Sequence, residues 1–488
     1  MKKNIIISLA TILFLVSCKE SFLEIPSKTS LSTPIYFSSQ SDFEQAINGA
    51  YAPLRGLYNG INGAWLMGEL RSDNTTYKYN SNDRGTIWPE YVADFIEENT
   101  NGALSAKYSS NYSVIARANQ IIALIDDVDF DESVKDNIKG QAYFLRALAF
   151  FDLVQYFGEV PLHLEPVTTL GESALPLSSV EVIYDQIIAD ATVAVDLLPD
   201  KSTQEKGRAT SGAAKTLLGN VYIVLKDWSE AETILKTVTG YSLVPDYADV
   251  FDPASKNNSE SVFEIQYKQG TEGFASNFFY TFLVQPITAE EITAVTGIPE
   301  VSRTIEGYNI PTPDVIGAYE ASDARKEASV GYISASGVSY PYIKKYAHAH
   351  ELTNNTDDNF PVYRYSEVLL FLAEALNEQN EPDQARPFLN EVRHRAGLED
   401  TPATTQSEMR DAILQERRVE FAFENKRWLD LVRSEKAEQV MKAYGERVKA
   451  DPQAYYFPEG ITVAPASYTT INLLFPLPSS ETALNPYF

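Results

Sequence analysis

The run Ala142-Tyr143-Phe144-Leu145-Arg146-Ala147-Leu148-Ala149-Phe150-Phe151 constrains the fold of this chain more than any other segment. It lies in a predicted helix over 134–157 and is apolar on nearly every face. Such a helix has to be buried on all sides. Gly158 stops it, and Val160-Pro161 fits that termination. Other helices are predicted over 111–125, 179–198, 210–225, 229–238, 363–379, 383–396, 407–425 and 428–434. One more begins near Ser41, where Phe43, Ala46, Ile47 and Ala50 recur at helical spacing, with Ser41 or Asp42 as cap. The expected class is mostly α.

A repeat signal runs through these helices. Leu218, Gly219 and Tyr222 are followed by Ala231 and Leu235. Leu372, Ala373 and Leu376 are followed by Ala385 and Leu389. Small residues twelve apart across a turn fit a tetratricopeptide helix pair, in which they let two antiparallel helices approach closely. Two matches fall short of an independent solenoid, so the pairs are expected as a scaffold inside a larger fold. Residues 56–110 are rich in Gly, Asn, Ser, Asp and Tyr and read as long loops with short helices. Residues 240–350 break the helical rhythm, with a strand expected at Val262–Tyr267 and then an irregular Gly- and aromatic-rich stretch. The tail from 445 is rich in Tyr, Pro and Phe.

The N-terminus carries an address. Lys2 and Lys3 precede an apolar segment from Ile5 to Val16, and Leu15-Val16-Ser17-Cys18 reads as a bacterial lipobox. The apolar stretch is short of the roughly 20 residues that span a bilayer. Cys18 is the only cysteine, so it has no disulfide partner in the chain, and lipidation accounts for it. Residues 1–17 are then a signal peptide and 18–35 a lipidated tether, with Pro26 and Pro34 favouring an extended chain. The formal net charge of −27 repels nucleic acid and argues against a DNA or RNA role.

Four segments in order carry a family resemblance. They are Ala142–Leu162, Tyr363–Ala375, Asn390–Leu398, and Glu416–Glu424 continuing through Arg427-Trp428-Leu429-Asp430-Leu431-Val432-Arg433. Together with the lipobox they resemble the SusD/RagB family of outer-membrane nutrient-binding lipoproteins of Bacteroidota. The resemblance implies tetratricopeptide-like helix pairs supporting an irregular binding face. On that reading 36–239 and 351–488 are the two helical regions and 240–350 an insertion. The resemblance also implies a lipid-anchored protein facing the cell exterior. Its partner would be a SusC-like TonB-dependent transporter, and its ligand an oligosaccharide or, in some members, a peptide. Glu416, Arg417, Arg418, Glu420 and Glu424 lie at helical spacing and are expected to form intrahelical pairs with a structural role. Arg427, Trp428 and Asp430 are expected to pack and pair likewise.

A sugar presents an apolar C–H face and a rim of hydroxyls, so its site needs aromatic planes beside planar polar groups. Gly68-Glu69-Leu70-Arg71-Ser72-Asp73-Asn74 supplies the polar set on a predicted loop. The resemblance places the loop matching Arg71–Asn74 at the ligand face. The expected ligand residues are Arg71, Asp73 and Asn74, with Trp88 as platform and Trp65, Tyr91, Tyr280 and Tyr308 as further candidates. Capping or turn roles for Asp73 and Asn74, and packing roles for Trp65 and Trp88, are the alternatives.

No catalytic or cofactor motif of the Gly-x-Ser-x-Gly, His-Glu-x-x-His or Gly-Lys-Ser/Thr type occurs. No cofactor, metal site or catalytic residue is expected. His348 and His350 read as a loop pair. Asp127-x-Asp129-x-Asp131 resembles a calcium loop, but Glu132 and Ile138 stand where glycine and glutamate are needed. A binding protein is therefore the expectation. A peptide-binding variant of the same architecture, a surface glycoside hydrolase and a tetratricopeptide adaptor are the alternatives.

Overall fold

A computed structural model describes residues 37–60, 63–80, 87–284, 287–298, 307–335 and 337–488. The signal segment, Cys18 and the tether lie outside the described residues.

The apolar helix of the sequence is α4 (Glu132–Phe157), preceded by α1 (Gln40–Leu57), α2 (Trp88–Asp94) and α3 (Gly102–Leu124). Asp131 caps α4, its carboxylate accepting from the Val134 N–H at 3.2 Å. The one charge in its central run, Arg146, is buried but satisfied. Its guanidinium meets Asp190 through two nitrogens at 2.7 and 2.8 Å and also donates to Asn119 at 2.8 Å. Asp190 lies on α5 (Val180–Leu197).

The packing order continues through α6 (Ser211–Leu225), α7 (Trp228–Leu235), α8 (Tyr365–Glu378), α9 (Pro382–Arg395) and α10 (Gln406–Glu420), each helix against the next. The tetratricopeptide spacing is realised in α6–α7 and α8–α9. A side chain at Gly219 would stand 2.5 Å from Leu235, so the crossing requires glycine. Ala231, Ala373 and Ala385 are wholly buried. Because α7 packs on α8, the scaffold is continuous across the 240–350 interruption.

Three two-stranded antiparallel ribbons lie among the described residues. β1 (Thr75–Thr76) pairs with β3 (Ile310–Pro311), and β2 (Ser261–Ile265) with β6 (Phe360–Arg364), while β4 (Val330–Ala335) and β5 (Val338–Ile343) form a hairpin. The insertion is thus tied to the body near its start, through β2, and at its middle, through β3.

Four expectations are corrected. Helix α3 starts at Gly102, not 111, because Asn101 caps it and Ala103, Leu104 and Tyr108 are buried against the body. α10 ends at Glu420, not 425: Phe423 and Asn425 take positive φ of 72° and 65°, and their N–H groups donate to the Glu69 carboxylate, both at 3.0 Å. A helix α12 (Ala437–Ala450) stands where the tail reading began. Gly445 weakens its helical signal, yet a side chain there would lie 2.3 Å from Tyr468. Finally, the conspicuous charges of the 416–424 segment pair across the fold and not along a helix. Glu416 meets Arg325 at 2.6 Å, and Glu420 meets Arg325 at 3.0 Å and Arg364 at 2.8 Å. Glu424 meets Arg364 and Lys345, both at 2.7 Å. Arg417 bridges Glu367 and Asp430, each at 2.9 Å, the latter on α11 (Arg427–Arg433). Their expected structural role stands. Trp428 packs edge-on against Phe95 with ring centres 5.5 Å apart.

Candidate functional site

The Arg71–Asn74 segment follows a π-helical turn at Leu66–Leu70 and is buried. Arg71 lies between the Phe95 and Phe475 rings, 4.1 Å from each centre, and its guanidinium pairs with Glu97 at 2.8 Å. It also donates to the Asn472 carbonyl at 2.9 Å. Asp73 receives Arg427 and Arg418, each at 2.8 Å. Burial works against its charge, but the two guanidiniums prevail and hold the carboxyl below its usual range. The Asn74 amide donates to Glu69 at 3.0 Å and accepts from Arg418 at 2.9 Å. These polar groups therefore bind the N-terminal region to α10 and α11. They do not line an open face as expected, because the chain itself supplies their partners.

The expected rings divide. Trp65 is 1% exposed, donates to the Gly60 carbonyl at 3.1 Å, and packs on Phe282 and Tyr308 with centres at 5.1 and 6.4 Å. Tyr308 is buried with it. Tyr280 is also buried, with its hydroxyl 2.6 Å from His350 Nε2. His348 Nδ1 lies 2.5 Å from Asp358, and His350 Nδ1 lies 2.8 Å from the His348 carbonyl oxygen. These three rings are enclosed by the fold, and both histidines are held by hydrogen bonds. Trp88 and Tyr91 keep some exposure on α2, with the indole of Trp88 against Gly102. Tyr91 is 38% exposed.

A different set of rings assembles an accessible row. Tyr79 follows β1, Tyr340 lies on β5, and Tyr456 follows α12; all three are half-buried. Tyr340 and Tyr456 meet edge to face, centres 6.0 Å apart. Tyr79 lies 5.9 Å from Phe457, the buried neighbour of Tyr456. The Lys78 ammonium stands 5.5 Å from the Tyr340 centre. Two hydrogen bonds to backbone carbonyls anchor the row: Lys78 N–H donates to the Gly307 carbonyl at 2.8 Å, and the Tyr456 hydroxyl donates to the Pro311 carbonyl at 2.7 Å. Planar apolar faces beside hydroxyls and one ammonium are the chemistry a sugar ring needs. Tyr77-Lys78-Tyr79 and Tyr455-Tyr456-Phe457 are visible as aromatic clusters, but their convergence with Tyr340 requires the β1–β3 pairing.

Residues 315–487 match the model described as the SusD family, and residues 21–223 match one described as starch-binding associating with outer membrane. The chain belongs to the SusD/RagB family. The SusD-like protein P2 of Formosa agariphila is 28% identical and aligns over 99% of this chain and 98% of its own length. The SusD-like fold is shared with solved structures. A laminarin-binding SusD-like protein is 24% identical, with a TM-score of 0.74 over 92% of this chain and 98% of that one. Surface glycan-binding protein A of Bacteroides uniformis is 23% identical, with a TM-score of 0.75 over 92% and 99%. For this SusD/RagB chain the family motifs coincide with the buried ion pairs, while the tyrosine row lies outside them.

Proposed function

We propose that the protein captures oligosaccharide at the cell surface and passes it to a SusC-like TonB-dependent transporter. The observation that carries the binding reading is the row Tyr79–Tyr340–Tyr456 with Lys78 beside it. Membership of the SusD/RagB family and the names of its laminarin-binding and glycan-binding structural neighbours support a saccharide as ligand. Trp88 and Tyr91 are the expected residues best placed to extend the site, since both keep exposure. A lipid on Cys18 and the tether to residue 35 would hold this face over the transporter, and the outer-membrane description of the matched family supports that location. The protein acts by binding, without cleaving the glycan.

Isothermal titration against neutral glucan, mannan and xylan heptasaccharides tests the reading. Saturable binding to one of them, lost in Tyr340→Ala, is the expected result. Binding to peptides alone, or release of new reducing ends on long incubation, overturns it. Cys18→Ala should leave binding intact and free the protein from the membrane fraction.

A further inference from the structure

A groove of about 390 Å³ lies between α1, the loop before α6, and β2, and it shares no lining residue with the tyrosine row. Its walls carry Arg55, Lys206 and Arg208 against a single carboxylate, Glu264. That is a local excess of positive charge on a chain whose net charge is −27. Concentrating cations in a concave site focuses potential on an anion.

The cations differ from those of the buried ion-pair layer in having little to neutralise them. Arg55 and Lys206 have no carboxylate partner among the described residues, and Arg208 meets only the exposed Glu205, at 3.3 Å. Glu264 is already engaged, accepting from the Asn359 amide at 2.8 Å. The cations are also positioned. The Arg55 carbonyl accepts from the Tyr267 hydroxyl at 2.7 Å, and the Arg55 guanidinium lies over Phe274, 4.8 Å from its centre. Arg208 lies over Tyr51 at 5.6 Å, and Ala209 N–H donates to the Tyr51 hydroxyl at 3.0 Å. Gly207, at φ +86°, lets the loop approach β2, since a side chain there would stand 2.8 Å from Gln266.

Phe274 supplies the remaining requirement. The residue is 45% exposed, with the guanidinium of Arg55 over one face of its ring. An apolar plane next to fork-shaped donors suits a sugar ring that carries an anionic group. The plane covers the C–H face, and the guanidiniums take two oxygens of a carboxylate or sulfate. We infer that the groove lined by Arg55, Lys206, Arg208 and Phe274 is a second saccharide subsite, selective for sugars bearing carboxylate or sulfate groups. This rests on the reading of the protein as a glycan binder and adds a class of ligand and a second place for it.

The test is isothermal titration of the full mature chain at 50 and 300 mM NaCl. The probes are a tetragalacturonate, a sulfated galactose tetrasaccharide, whichever neutral heptasaccharide the protein binds, and a tetraglutamate peptide. Wild type should bind at least one acidic tetrasaccharide, several-fold more weakly at the higher salt. Arg55→Gln/Lys206→Gln/Arg208→Gln should weaken that binding at least tenfold and leave the neutral heptasaccharide unchanged. Tyr340→Ala should do the reverse. Lys206→Gln alone alters one exposed side chain and should still weaken acidic binding about threefold. The inference falls if the triple variant binds the acidic sugars as wild type does, if acidic sugars are not bound, or if only the peptide competes for the groove. In each case neutral binding lost in Tyr340→Ala would leave the proposed function standing. Failure to bind any saccharide would overturn both.

Discussion

The charges under α10 and the charges beside α1 are built from the same residue types and do opposite things. Under α10, Arg325, Arg364, Arg395 and Lys345 are buried and opposed by Asp323, Glu260, Glu416, Glu420 and Glu424. Every one of these cations meets a carboxylate, and no net attraction is left for a ligand. Beside α1, Arg55, Lys206 and Arg208 face a cavity with one carboxylate, itself already hydrogen-bonded. The difference teaches that the residues most visible as a motif hold the fold, and that the proposed recognition falls where charge and aromatic surface are left uncompensated.

The largest expected effect breaks the buried layer. Arg364→Met leaves Glu260, Glu420 and Glu424 short of a shared partner, and removing one member of a buried pair costs about 3–5 kcal/mol. The denaturation midpoint should fall sharply. The triple groove variant should stay within about 1 kcal/mol of wild type, because those cations are at least partly exposed. Equal losses would erase the contrast between the two regions.

Asp73→Asn should cost about 3 kcal/mol by stranding Arg418 and Arg427, with affinity for glycan unchanged in the folded fraction. A variant that kept its stability but lost ligand would return Asp73 to the binding face.

A smaller effect comes from pH. Burial pushes the Asp94 carboxyl up to about 7, though Ser467, Tyr77 and Tyr468 bond to it. The folded chain holds a proton there that the unfolded chain gives up near the ordinary carboxyl value of 3.8. Stability therefore falls as pH rises from about 4 to about 7. Asp94→Asn should flatten that fall by on the order of 2 kcal/mol, read from denaturation midpoints at pH 5 and 8. Glu69, also raised to about 7 by burial, keeps a residual slope of the same sign. A variant with the wild-type slope would show that Asp94 does not retain its proton.

The smallest effect is Tyr340→Ala, with an expected affinity loss near tenfold, about 1.4 kcal/mol, and little change in stability. Titration checks the first and thermal unfolding the second.

Much of the helical body could be read from residue spacing. The all-apolar face of 142–151 and the small residues Gly219, Ala231, Ala373 and Ala385 report helix contacts between near neighbours in the chain, and local periodicity encodes such contacts directly. Where tertiary contacts override propensity, reading failed: Glu69 turns the end of α10, Asn101 and the body extend α3, and Tyr468 demands the glycine inside α12. The expected site suffered for the same reason. Arg71, Asp73 and Asn74 have the chemistry of a sugar site, but whether a polar side chain meets solvent or a partner hundreds of residues away is not a property of its neighbours in sequence. Their partners are Glu97, Asn472, Arg418 and Arg427.

The sequence alone determined the family, from four motif segments in a fixed order, and the helix pairs, from spacing within single segments; it marked the 416–433 motif as structural but not its partners, which lie across the fold. Tertiary structure decided which charges are cancelled and which rings stay exposed. Tyr79, Tyr340 and Tyr456 become one surface only when β1 pairs with β3 and the β4–β5 hairpin packs beside them. Arg55, Lys206 and Arg208 line one groove only once α1, the loop before α6 and β2 come together. Exposure and net local charge are sums over the whole fold, so they appear only once the chain has closed.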